Sequence, residues 1–241
     1  MGRVVGRLLP AVAVLLLAAC EGHDPLAVIG RPQAASSEPA NVGDAKNAAT
    51  AYHDSGAYEH DLAAAGAPVE AWLSERASSA VKPAIVFDID ETALSNWDVI
   101  KADDFGRVIP GPCAHLPDGP CGWEAWDLRS QDKAIDATLN IYRRARSLNV
   151  AVFFITGRPE NQRRATERNL RAAGYGSWQQ LIMPPNGAKF ASAADFKAPR
   201  RADIEQAGYT IIANVGDQPS DLAGGHAERA FLLPDPFYRI P

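Results

Sequence analysis

The chain has little of what several function classes need. Lysine and arginine number 24 against 29 acids, giving a net charge of −5. That leaves no basic excess for a nucleic-acid surface, so no nucleic-acid partner is expected. The five histidines (His23, His53, His60, His115 and His226) are scattered, with no H-x-E-x-x-H or similar spacing. A zinc site, which gathers close-set nitrogen and sulfur ligands, is not expected. No repeat with a period of about 20–50 residues marks a solenoid or propeller. No apolar run reaches the roughly 20 residues that span a bilayer. The chain does have 241 residues, 46% of them hydrophobic, enough for one globular domain with a sizeable core and not clearly enough for two.

The apolar run at the amino end covers residues 8–19 and follows Arg3 and Arg7. A basic start and a short apolar core fit a signal peptide over 1–19. The run ends Leu17-Ala18-Ala19-Cys20, which resembles a bacterial lipobox. The resemblance implies cleavage before Cys20, lipidation of Cys20 and anchoring in a bacterial cell envelope, to a membrane with the protein on the periplasmic face. Stable anchoring needs more than one acyl chain. Glu21 after Cys20 is compatible with outer-membrane sorting. An ordinary secretory signal with an incidental cysteine is the alternative. Residues 20–44 are rich in Ala, Ser, Pro and Gly and read as a flexible tether.

The most informative stretch is I-V-F-D-I-D-E-T at 85–92. Apolar, strand-forming residues run into Asp88 and Asp90, which reads as a buried parallel strand ending in an acidic loop. Ligands of open α/β sheets gather at such carboxyl ends. Two acids there repel unless a cation separates them, and hard oxygen ligands suit Mg²⁺. A second apolar run, A-V-F-F-I at 151–155, ends in Thr156-Gly157-Arg158-Pro159. Thr156 and nearby N–H groups would sit at a helix start, where phosphate binds well; a plain N-cap threonine is the other reading. A third, T-I-I-A at 210–213, leads into N-V-G-D-Q-P-S-D, where Asp217 and Asp221 lie four apart. A helical turn near Pro219 would bring both toward one site; Asp221 could instead serve only the helix dipole. Between these runs, Lys197 is the preferred phosphate-binding lysine, with Lys189 as its competitor.

The elements alternate. Residues 45–80 read as helical, and Pro68 is expected to start a helix. Strands are expected near 84–88, 151–155, 181–183, 211–215 and 230–233, with helices near 132–148, 160–173, 199–207 and 219–225. Alternation of this kind predicts an α/β fold, a parallel sheet with helices on both faces and a helical segment before it. Residues 93–131 do not fit; they carry Trp97, Phe105, Trp123 and Trp126 among many Pro and Gly. A long irregular insertion after a catalytic strand reads as functional. Within it Cys113 and Cys121 frame a turn-rich loop, and an oxidising compartment would let them pair; two free thiols are the alternative.

Together these segments resemble the four motifs of the haloacid dehalogenase (HAD) superfamily: D-x-D, Thr after a strand, Lys, then G-D-x-x-x-D. Over about 45–241 the phrases F-D-I-D-E-T-A-L-S-N, I-T-G-R-P, N-L-R-A-A-G-Y, G-Y-T-I-I-A-N-V-G-D-Q-P-S-D-L and F-L-L-P-D-P-F-Y resemble the class B-type acid phosphatases. That group holds plant acid phosphatases and vegetative storage proteins and is related to bacterial lipoprotein acid phosphatases. Pro219 departs from the aromatic residue more common there. The resemblance implies a HAD-type Rossmann-like domain whose insertion, about 93–131, caps the site. It implies hydrolysis of phosphomonoesters, nucleotides among them, through an aspartyl-phosphate on Asp88 with Asp90 as acid and then base. Thr156, Gly157 and Lys197 would hold the phosphate, and Lys197 would help keep Asp88 ionised. Asp88, Asp217 and the Asp90 backbone carbonyl would hold Mg²⁺, with Asp221 either a further ligand or a partner that orients one. Trp97, close after the acidic loop, is the single aromatic residue expected to touch substrate; Trp123 and Trp126 read equally well as core of the cap. A catalytically weak storage- or binding-type lipoprotein on the same fold is the alternative function. Neither the physiological substrate nor the oligomeric state can be read from the sequence.

Overall fold

A computed structural model describes residues 1–2, 39–114 and 116–240. The signal peptide, Cys20 and most of the tether lie outside them. The first expected feature within reach is the tether's end, and it comes early. Helix α1 (Val42–Asp54) starts three residues before position 45, because Asn41 caps it: its Oδ1 accepts from Gly43 N–H at 2.8 Å and from Asp44 N–H at 3.3 Å. The expected helical region is two helices, α1 and α2 (Ala57–Arg76), broken at Gly56, which takes a left-handed φ of 81°. Pro68 sits inside α2 and does not start a helix. It only forgoes the bond to the Ala64 carbonyl, while Leu62, Val69 and Leu73 anchor that helix face in the core.

The main sheet has five parallel strands in spatial order β5-β4-β1-β6-β7. They are β1 (Pro83–Phe87), β4 (Ala151–Ile155), β5 (Gln180–Ile182), β6 (Thr210–Gly216) and β7 (Ala230–Leu232). Every expected strand is present within two residues. The central strands are buried on both faces, as parallel strands covered by helices must be. Ile85 and Phe87 face one apolar cluster, filled by α2 and by α5 (Asp136–Ser147). Ala84 and Val86 face the other, filled by Phe196 and Ile204 of α7 (Ala193–Gln206). Register puts Phe87 level with Phe154 of β4 and Val215 of β6. The carboxyl ends of the three central strands therefore finish together.

Several helix boundaries differ from expectation: α8 stops at Leu222, not 225, and two starts move further. Helix α7 starts at Ala193, not 199, because Asp195 Oδ2 accepts from the Ser192 N–H at 3.0 Å and opens the helix one turn and a half before Pro199. Helix α5 starts at Asp136, not 132. The residues before it form β3 (Lys133–Ala134), which pairs antiparallel with β2 (Leu94–Ser95). The insertion is thus less irregular than expected. It opens with β2, holds α3 (Trp97–Ala102) and α4 (Trp123–Arg129), and closes at β3. A disulfide joins Cys113 to Cys121 within it. The remaining helices are α6 (Arg163–Ala172), preceded by a 3₁₀ turn at Glu160–Gln162, and the short α8 (Pro219–Leu222). Among the described residues, no helix is long and apolar enough to cross a membrane.

Candidate active site

The loops after β1, β4 and β6 carry the expected residues, and the sheet fixes their starts. The Asp88 N–H donates to the Val215 carbonyl at 3.0 Å and the Thr156 N–H to the Ile182 carbonyl at 3.2 Å. Each side chain is thereby held one residue past its strand. After Asp88 the chain folds back on itself: the Ala93 and Leu94 N–H groups both reach the Ile89 carbonyl at 2.8 Å, and Glu91 takes a left-handed φ of 51°. The buried Glu91 carboxylate accepts from the Asn96 N–H at 2.5 Å and from the Tyr238 hydroxyl at 2.7 Å. It acts as a peg for this turn.

Asp88, Asp217 and Asp221 come together. Each offers a carboxylate oxygen, and these lie within 4.8 Å of one another. Lys197, from the second turn of α7, pairs with Asp88 and donates to Asp221 Oδ1 at 2.6 Å. Lys189 is exposed, so of the two lysines it is Lys197 that meets these carboxylates. The other Asp221 oxygen accepts from the Gln218 N–H at 3.0 Å, which locks Asp221 on the first turn of α8. Asp217 accepts from the Thr92 hydroxyl at 2.7 Å and from Gln218 Nε2 at 2.7 Å.

Burial dominates the electrostatics. It pushes the Asp88 carboxyl up to about 7; Lys197 opposes it, while Asp221 and Asp90 add to it. Lys197 does draw the Asp88 carboxyl down, as expected, but desolvation outweighs one ammonium group. Asp217 is raised well above the usual carboxylate range by burial and by repulsion from Asp88 and Asp221. If all three buried acids ionise, one cation between them leaves an excess of two negative charges, which is why Asp88 and Asp217 hold on to protons. This is a set of hard oxygen donors that a divalent cation such as Mg²⁺ fits.

The Asp90 side chain is not part of that carboxylate set, in keeping with a role for its backbone carbonyl alone. Its carboxylate turns to Arg158, which donates to Oδ1 through Nε at 3.0 Å and Nη2 at 2.6 Å. Burial would raise the Asp90 carboxyl, but Arg158 and Asn96 overcome that and hold it below the usual range. Thr156 is fully buried; its Oγ1 lies 3.5 Å from Asp90 Oδ2 and accepts the Arg158 N–H at 3.1 Å. A cavity of about 330 Å³ opens beside these groups. Asp88, Asp90, Gly157, Arg158, Lys197 and Asp221 line its floor, and Trp123, Tyr238 and Ile240 line its walls.

Trp97 is not in that cavity, which corrects the expected substrate contact. Its indole stacks on His53 with ring centres 3.8 Å apart and packs on Phe237 at 5.0 Å. The direction of α3 carries it toward the amino-terminal helices. The aromatic wall comes instead from Trp123 and from Tyr238, whose rings meet edge to face at 5.5 Å. Sequence reasoning missed Arg158, Asp127 and Asp132, which form a buried ion cluster, and it missed Gln218 and Tyr238. The one available signal was an arginine straight after Thr156-Gly157, with unassigned acids in the insertion.

Residues 26–241 match the family profile described as HAD superfamily, subfamily IIIB (acid phosphatase). The chain is 33% identical over 162 residues to the stem 28 kDa glycoprotein of Glycine max, covering 66% of this chain and 61% of that protein. It is 32% identical over 156 residues to acid phosphatase 1 of Solanum lycopersicum, covering 64% and 58%. Vegetative storage protein 1 of Arabidopsis thaliana is 30% identical, covering 65% and 55%. The matches span about three fifths of the length of these relatives. The fold is shared with the class C acid phosphatase from Bacillus anthracis with tungstate bound, at a TM-score of 0.64 and 19% identity, over 81% of this chain and 86% of that one. The chain belongs to the HAD superfamily, subfamily IIIB, the acid phosphatases.

Proposed function

We propose that this protein hydrolyses phosphomonoesters through an aspartyl-phosphate on Asp88. The observation that carries the reading is the meeting of Asp88, Lys197 and Asp221 at the floor of one cavity, with Asp217 clustered beside them. Asp88 stands at the end of the central strand, aimed by the last sheet hydrogen bond, where a phosphorus atom can approach. Lys197 and Thr156, with the N–H groups that follow Thr156, hold the phosphoryl oxygens and stabilise their charge. Asp90, which Arg158 and Asn96 hold low, takes up a proton as the phosphate monoanion binds, gives it to the leaving oxygen and then takes one from the water that cleaves the acyl phosphate. Asp88, Asp217, Asp221 and the Asp90 carbonyl would hold Mg²⁺, which when bound supplies positive charge against the repulsion between Asp88 and the phosphate. Trp123 and Tyr238 give the leaving group an aromatic wall, suited to aryl or nucleoside esters.

The test is hydrolysis of p-nitrophenyl phosphate by the mature protein with Mg²⁺ and after exhaustive chelation. Activity is expected only with metal, and Asp88→Asn is expected to abolish both turnover and covalent phosphorylation. Turnover by Asp88→Asn at the wild-type rate would reject the nucleophile. The names of the storage-protein relatives favour a second reading, a catalytically weak storage or binding protein. The complete set Asp88, Asp90, Thr156, Lys197, Asp217 and Asp221 weighs against it, and the same assay decides. We further propose that the chain is exported and lipid-anchored at Cys20 in a bacterial envelope, a reading supported by the sequence of residues 1–21. Cys20→Ser is expected to leave the membrane fraction or to stay unprocessed; unchanged partition and mass would reject it.

A further inference from the structure

Arg158 is 3% exposed, and its guanidinium meets three carboxylates from separate parts of the chain. Nε and Nη2 donate to one and the same oxygen, Asp90 Oδ1, at 3.0 and 2.6 Å. Nη2 also lies 2.9 Å from Asp132 Oδ2 and 3.3 Å from Asp127 Oδ1. Both of those acids belong to the insertion and its closing turn. A third donor reaches Asp90 Oδ1: the Asn96 amide, at 2.9 Å. Asn96 is itself oriented, because its Oδ1 accepts from Trp126 Nε1 at 3.0 Å and its N–H is bound by Glu91. Oδ1 of Asp90 thus takes three N–H donors. Oδ2 has only the Thr156 hydroxyl, at 3.5 Å.

A carboxylate oxygen has about two lone-pair sites, and three donors fill Oδ1. A proton on Asp90 then has one place to go. We infer that Arg158, gripped by Asp127 and Asp132 of the cap, is a positioning residue that makes Oδ2 of Asp90 the single oxygen exchanging a proton with the leaving group. The inference rests on Asp90 being the acid of the proposed phosphatase reaction. In the step it serves, an Asp88 oxygen forms a bond to phosphorus, the ester P–O bond breaks, and the proton on Asp90 Oδ2 moves to the departing oxygen. A lysine could not replace the device, since only a planar fork lays two N–H groups on one oxygen. The arrangement also couples the cap to the chemistry: if the cap shifts, Arg158 loses two of its three carboxylates and Asp90 becomes free to rotate.

The experiment compares kcat/KM, which reports the phosphorylation step, for p-nitrophenyl, phenyl and ethyl phosphate in the Mg²⁺-loaded protein. Wild type, Asp90→Asn, Arg158→Lys, Arg158→Gln and Asp132→Asn are measured, with inhibition by inorganic phosphate as a check on phosphate binding. General acid catalysis contributes about 10²–10⁴-fold. Arg158→Lys and Arg158→Gln are expected to lose roughly 10- to 100-fold on ethyl phosphate and under about 3-fold on p-nitrophenyl phosphate, with phosphate inhibition near the wild-type value. Asp132→Asn is expected to lose less, in the same direction. Equal losses on all three esters in both Arg158 variants, beside a steep leaving-group dependence in Asp90→Asn, overturn the positioning role and leave Asp90 as the acid. A flat profile in Asp90→Asn overturns the assignment of the acid itself. If neither Arg158 variant folds, as judged by a cooperative melt, Asp132→Asn decides: a steeper leaving-group dependence than wild type supports the inference, and the wild-type dependence overturns it.

Discussion

Gln218 is 2% exposed, and its side-chain amide is satisfied on both ends. Nε2 donates to Asp217 Oδ2 at 2.7 Å and to Asp235 Oδ2 at 2.6 Å; Oε1 accepts from the Ile240 N–H at 3.1 Å. One side chain therefore orients the Asp217 carboxylate and ties it to the carboxy-terminal segment that brings Tyr238 to the cavity. Losing a partner that orients a metal ligand usually costs 10- to 100-fold in metal affinity. Gln218→Leu keeps the volume and removes the amide. It is expected to weaken Mg²⁺ binding by about that factor in calorimetry, with the melt still cooperative. Unchanged Mg²⁺ affinity would show that Asp217 holds its position without help. The acids of the site were legible in the sequence because a carboxylate closing a buried strand is costly to desolvate and needs a cation beside it. Gln218 and Arg158 were not. An amide or a guanidinium acts here through its geometry to another side chain, and that geometry exists only after folding.

At the scale of elements, the strands were legible and the ends of the helices less so. A buried parallel strand writes itself as a continuous apolar run, as β1 and β4 do; the edge strands β5 and β7 are three residues each and part exposed. Helix starts follow from single hydrogen bonds. Asn41 and Asp195 set the starts of α1 and α7, while the prolines at 68 and 199, which looked like starts, lie within helices. Gly216 shows how tightly an element end is tied to the chemistry. A Cβ there would lie 2.6 Å from the Asp221 Cβ and 2.8 Å from its Oδ2, so the strand can pass this close to the acid only as glycine. The insertion was the least legible part. Its β2–β3 pair is only two residues on each strand and joins positions about forty apart, which no local periodicity can reveal. Trp97 was misplaced for the same reason: distance along the chain from the acidic loop says nothing about which way α3 points.

For the molecule as a whole, the cap is joined to the core by apolar packing of Val99, Ile100, Trp123 and Trp126 and by one buried polar cluster. The disulfide closes a loop inside the cap and cannot by itself fasten that loop to the sheet. Asp127 and Asp132 do so, by gripping Arg158 from β4's loop, and the grip depends on pH. Burial pushes the Asp132 carboxyl from 3.8 up to about 6, with Arg158 opposing, and pushes Asp127 well above the usual range. A carboxyl whose pKa is raised by folding binds its proton more tightly in the native state. Its contribution to stability is fully present below about pH 4, the unfolded value, and is lost as pH rises through about 6. For Asp132 the change corresponds to roughly 2–3 kcal/mol, since one unit is worth about 1.4 kcal/mol. With a chelator present, the wild-type protein is therefore expected to resist urea better at pH 5 than at pH 7.5. Asp132→Asn keeps an acceptor for Arg158 and cannot ionise. It should flatten part of that difference, chiefly by raising stability at pH 7.5, and comparing the two proteins removes the acids of the metal site from the result. Urea midpoints at the two pH values measure the effect. A wild-type midpoint that rises from pH 5 to 7.5, or a variant whose midpoints fall as far as the wild type's, would mean that Asp132 is ionised throughout and that Arg158 outweighs its burial.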